Sequence, residues 1–253
     1  MVFYAYAASD TDMNARFVIT APSVEVVDEW FLDARADGLE ATRHGPELYT
    51  YKYSQAQWIY DWSIGSGTAA TKSSRNKIFF TRFNDAAGFQ QSMIPNQFAP
   101  NHISGNTFYI RSKSKPSVFW NVDENFVYAT QLARTRFKIS IQGGSKGDVM
   151  IPKHDIVITA LLGNPLREYT VYWSSENALK TEAADVGGGG ALVPGPGYPY
   201  PGQGYPGWPQ MNISTFKFES FKNCFIPIGK DIEHNDAKLA FYKDAGEEWE
   251  LVS

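Results

Sequence analysis

The strongest constraint on this chain is an internal echo. Between residues 107 and 221 a set of four short segments occurs twice in the same order. The first set is TFYIRS (107–112), SVFWNV (117–122), FVYATQ (126–131) and TRFKISI (135–141), separated by KSKP, DEN and LAR. β-Branched and aromatic residues bounded by turn residues are the pattern of short strands. DIVITA (155–160), TVYWSS (170–175), ALKTEA (178–183) and STFKFESF (214–221) repeat that order, and Glu176-Asn177 echoes Glu124-Asn125. A unit this small cannot bury a core alone. Its repetition points to a closed, pseudo-symmetric β architecture, in which closure removes exposed strand edges. A weaker third copy is readable near the start, where FVITA (17–21) echoes DIVITA and GLEAT (38–42) echoes VYAT. LAFY (239–242) and EEWELV (247–252) read as further strands.

Composition agrees with a folded β protein. The chain has 253 residues, 43% hydrophobic and 20% charged, which is globular rather than disordered. Aromatic residues reach 15%, suited to a β-rich core or to stacking platforms. The net charge of −4 argues against a binder that neutralises nucleic-acid phosphates. No apolar run approaches the roughly 18 residues of a membrane-spanning helix. The single Cys224 excludes an intramolecular disulfide.

The remaining segments are assigned from local signals. VFYAYAA, with no basic residue before it and Asp10 and Asp12 close behind, reads as a first strand and not as a secretory signal. This favours a cytoplasmic location, and leaves open another route of secretion or a processed mature chain. After FVITA and Pro22, Ser23 is placed to cap a helix near 23–37. Val26, Val27, Trp30, Phe31 and Ala34 recur at helical spacing, and Gly38 is the stop. KIFFTRF (77–83) is another strand; residues 65–76 and 84–106 read as loops. Residues 187–209 hold 9 of the 21 Gly and 6 of the 14 Pro. So Gly/Pro-rich a stretch cannot form a regular hydrogen-bond ladder, and it reads as a low-complexity arm inserted in the second copy.

Catalytic signatures are lacking. His44, His102, His154 and His234 are not in metal-ligand spacing. Ser112 and Lys115 match S-x-x-K without the accompanying motifs, and GSGTAATKS fails as a phosphate loop because Thr71, not Gly, precedes Lys72. Cys224 lies in apolar NCFIPI, the context of a core thiol. The expectation is a non-enzymatic protein with no metal or other cofactor.

The stretch TFYIRSKSKPSVFWNVDENFVYAT resembles one lobe of a β-trefoil of the ricin-B-like lectin family, in particular the intracellular lectin-like proteins of fungi. The resemblance rests on YIRS, an aromatic strand, the acidic turn from Asp123 to Asn125, and a following strand. It implies sugar binding in shallow surface pockets, with glycans or glycoproteins as partners. A ring would stack on the apolar face of the sugar while carboxylate and amide groups hold its hydroxyls. In the first copy Asp123 and Asn125 would hold hydroxyls, and Trp120 or Tyr128 would stack. In the second copy the candidates are Glu176, Asn177 and Trp173. The matched positions of Trp120 and Trp173 equally suit core-layer residues, and Asp123 and Asn125 equally suit an ordinary turn.

The expected fold is all-β, with one N-terminal helix: a single β-trefoil-like domain over residues 1–253 with pseudo-repeats and long insertions. A β-sandwich is the second architecture. The alternative function is a protein-binding module, such as a β-trefoil hydrolase inhibitor acting through the loops at 84–106 and 185–211. A homodimer is the default assembly.

Overall fold

A computed structural model describes residues 2–12, 16–63, 76–83, 97, 99–184, 213–231 and 236–253. Most of the loops read at 65–76 and 84–106, and all of the arm read at 187–209, lie outside the described residues. The architecture is mostly β, as expected. Where a single domain over 1–253 is expected from sequence, the chain forms two compact units, Met1–Asn101 and His102–Ser253.

The first unit is a five-stranded sheet with helices. Its strands are β1 (Phe3–Ser9), β2 (Arg16–Ala21), β3 (Ala41–Gly45), β4 (Leu48–Tyr51) and β5 (Phe79–Arg82), in the order β3-β4-β1-β2-β5. The β1–β4 pair is parallel and the others are antiparallel. FVITA therefore pairs with β1 and β5 in this sheet and takes no part in the repeat of the second unit.

Helix α1 (Val24–Ala36) forms where it was expected and buries Val27, Trp30, Phe31 and Ala34, with Val24 buried in place of Val26, which is half-buried. Each such large side chain contributes about 1.5–3 kcal/mol on burial. Ser23 occupies the N-cap with extended backbone, but its side chain makes no capping hydrogen bond. Gly38 ends the helix at φ +102, a conformation costly for any residue with a Cβ. Asp28 is the exception on the buried face. Its carboxylate accepts from Arg43 Nε at 2.6 Å, Arg43 Nη2 at 3.2 Å and Tyr49 Oη at 2.7 Å. Arg43 also donates to Asn101 at 2.6 Å. These bonds lock α1 onto β3 and β4, and they satisfy a carboxylate that would otherwise be buried without partners. A second helix, α2 (Ala56–Ser63), was not foreseen. Its signal was the spacing of Trp58, Ile59 and Trp62, and Ile59 is fully buried.

The second unit contains the repeat. The first copy becomes β6 (Asn106–Ser112), β7 (Phe119–Asp123), β8 (Phe126–Thr130) and β9 (Arg136–Ile141). The second becomes β10 (Asp155–Leu162), β11 (Arg167–Trp173), β12 (Leu179–Ala183) and β13 (Thr215–Lys217). The pairing repeats as well as the order. In each copy the first strand pairs with the second, the second with the third, and the first also with the fourth: β6–β7, β7–β8 and β6–β9, then β10–β11, β11–β12 and β10–β13. β9–β10 joins the copies on one side and β8–β12 on the other, closing a seven-stranded antiparallel barrel.

Three further strands complete the unit. These are β14 (Phe225–Asp231), β15 (Asp236–Phe241) and β16 (Trp249–Val252). β15 and β16 answer to the expected C-terminal strands; β14, with Pro227 in its middle, was missed. β16 pairs with β6, and β15 lies between β14 and β8. The inward faces of the barrel strands and Phe216, Phe221, Phe225, Leu239 and Trp249 form one apolar cluster.

Candidate functional site

The polar candidates from the sequence lie in two hairpin turns, each leading into one strand of the β8–β12 seam. The turn between β7 and β8 contains only residues 124–125, because Asp123 pairs directly with Phe126. Glu124 has φ 45 and Asn125 φ 67. Two consecutive residues with positive φ in a two-residue loop match the type I′ geometry that suits the twist of a hairpin, and Asn tolerates it well. The second turn joins β11 to β12. Asn177 has φ 55 and its N–H donates to the Ser174 carbonyl at 3.1 Å, while Ser174 Oγ donates to the Ala178 carbonyl at 2.8 Å. Asp123, Asn125, Glu176 and Asn177 are all exposed.

The β8–β12 seam runs between these turns. Lys180 stands opposite Phe126, and the Thr181 N–H donates to the Asn125 carbonyl at 2.8 Å. Lys180 Nζ lies 4.4 Å from the centroid of the Phe126 ring and pairs with Glu176 Oε1 at 2.5 Å. Lys238, opposite Tyr128 on β15, places its Nζ 3.7 Å from the same ring centroid. Phe126 and Tyr128 have ring centroids 6.3 Å apart in an edge-on arrangement. Both are half-buried. The seam thus offers carboxylate and amide acceptors, ammonium donors and a half-exposed phenol ring along its length.

The tryptophans lie behind this surface. Trp120 is 0% exposed and edge-packed against Phe137, Phe225 and Trp249. Trp173 is 6% exposed, against Phe241 and Tyr242. Both are core rings, so Tyr128 is the member of the first-copy pair with surface to present. The matched tryptophans also differ in register: Trp120 pairs with Ala129, whereas Trp173 pairs with Leu179 at the mouth of its turn.

Sequence reasoning missed Phe126, Lys180 and Lys238. Phe126 directly follows Asp-Glu-Asn and was visible, but the lysines reach it only through cross-strand register. A separate open hollow of about 360 Å³ in the first unit is lined by Arg35, Gly38, Leu39, Glu40, Ala41, Thr42 and Lys52; it contains none of the candidates. Among the described residues no group of three or more His, Cys, Asp or Glu side chains could hold a metal ion, and no helix is long and apolar enough to cross a membrane.

Comparison of the chain with protein-family models, curated proteins and solved structures gave no match.

Proposed function

We propose that this protein is a non-catalytic, lectin-like carbohydrate-binding protein whose site is the β8–β12 seam. The observation that carries the reading is the seam between the two copies, where the Thr181 N–H donates to the Asn125 carbonyl and Lys180 links Glu176 to the Phe126 ring. Asp123, Asn125, Glu176 and Asn177 take sugar hydroxyls, and Tyr128 takes the apolar face of the ring. Such a site is shallow, so single-sugar affinity is weak and the natural ligands are glycans or glycoproteins.

The test is a glycan array probed with the full chain, repeated with residues 187–209 deleted. Binding to a defined set of glycans is expected. Silence at millimolar glycan overturns the reading and moves the assignment to a protein partner. The deletion shows whether the Gly/Pro/Tyr-rich segment contributes to binding.

A further inference from the structure

Three basic side chains of β6, β9 and the β6–β7 connection each have a carboxylate of their own. Arg111 pairs with Glu250 at 2.7 Å, Lys113 with Glu248 at 2.6 Å and Lys138 with Glu168 at 2.5 Å. Arg134 and Arg136 do not. Both are exposed, and among the described residues neither has a carboxylate partner. Instead they converge on one ring. The Arg134 guanidinium carbon is 4.4 Å from the Tyr109 centroid and 5.6 Å from that of Phe119. The Arg136 guanidinium carbon is 5.3 Å from the Tyr109 centroid, and its Nε donates to Tyr109 Oη at 3.2 Å.

Two like charges over one ring are no farther apart than about a Debye length, roughly 10 Å at 0.1 M salt, so their repulsion is only partly screened. The ring quadrupoles offset part of it. They also hold the guanidinium planes still, which lowers the entropic cost of engaging a ligand.

We infer that Arg134 and Arg136, stacked on Tyr109 and Phe119, form a site for a sulfate or carboxylate group carried by an acidic glycan. The anionic group follows from the paired guanidiniums, whose planar forks match an oxyanion. That a sugar chain carries it rests on the carbohydrate-binding reading. A net charge of −4 disfavours nucleic acid as the carrier.

The test titrates the full chain with a sulfated oligosaccharide, its unsulfated counterpart and single-stranded DNA of equal charge. The variants are R134Q/R136Q and, as a control that removes an already paired charge, K138Q. The sulfated chain is expected to bind, about tenfold more weakly to R134Q/R136Q and less than about twofold more weakly to K138Q. Equal affinity for wild type and R134Q/R136Q overturns the site, as does an equal loss in K138Q. Tighter binding of the DNA overturns the assignment to a glycan. If the sulfated chain alone binds, and depends on the two arginines, this site stands while the seam reading falls.

Discussion

The backbone N–H of Thr181 donates to the carbonyl oxygen of Asn125 at 2.8 Å. The two residues belong to different copies of the repeat, and with the Lys180–Phe126 pair they close the barrel. Because the two strands run antiparallel, the turn before Phe126 and the turn before Leu179 lie at opposite ends of this pair, linked along the seam by Lys180, which binds Glu176 and lies over the Phe126 ring. A feature of topology therefore places the polar groups on which the functional proposal depends.

The geometry of residues 124–125 makes the hairpin sensitive to side-chain shape. Asn125 sits at φ 67, where a β-branched residue is strained by about 1–2 kcal/mol. Asn125→Val is expected to lower stability by about that much, and Asn125→Gly to leave it unchanged or slightly raised. Urea unfolding of the full chain measures both.

Trp120 anchors the core of the second unit. Trp120→Ala is expected to cost about 3–5 kcal/mol through the cavity it leaves. Trp120→Phe is expected to cost less, because it keeps a ring in the space that alanine would empty while removing Nε1, which is buried without a hydrogen-bond partner among the described residues. A phenylalanine variant as unstable as the alanine one would contradict this account of the core.

In the first unit, Asp28→Ala leaves Arg43 buried and uncompensated. The side chains are 4% and 6% exposed, and the expected loss is about 3–5 kcal/mol. Burial pushes the Asp28 carboxyl above its ordinary 3.8, against the pull of Arg43 and the hydrogen bonds from Arg43 and Tyr49. A raised native-state value means that the folded form binds the proton more readily. The stabilisation linked to that proton is complete below 3.8 and is lost as pH rises through the native value. The stability of wild type relative to Asp28→Asn is therefore expected to fall as pH rises from below 3.8. A rise over that range, in paired unfolding curves, would refute the sign.

His154 gives the opposite pH dependence. Its Nδ1 accepts the Ile151 N–H at 3.3 Å, and the His154 backbone N–H donates to the Ile151 carbonyl at 3.0 Å. Burial, with Lys153 nearby, holds the imidazole below its ordinary 6.5. Its contribution is present above 6.5 and is lost as pH falls through the lowered native value, when protonation removes the acceptor. His154→Gln is expected to flatten this part of the stability–pH curve, read by thermal unfolding across pH 4–8.

Local signals carried much of the fold. Helix α1 was legible from its apolar spacing and Gly38, and the strands of both copies from their aromatic and β-branched runs. The turn at Asp123–Asn125 was legible because Asn is one of the few residues at ease with positive φ. Longer-range features were hidden. Helix α2 is short and crowded with aromatics that also favour strands. The division at residue 101 falls inside a stretch without a compositional break. Trp120 and Trp173 look like stacking rings in sequence because burial is set by which face of the strand turns inward. The lysines around Phe126 come from β12 and β15, and only the register of three strands reveals them.

The most direct test of the central claim compares the full chain with its Asp123→Ala/Glu176→Ala variant on the same glycan array. Both side chains are exposed and lie outside the core, so the fold is expected to persist, verified by circular dichroism. The account requires the wild type to bind a defined set of glycans and the variant to lose them. No binding by the wild type, or binding that the two substitutions leave untouched, would contradict it.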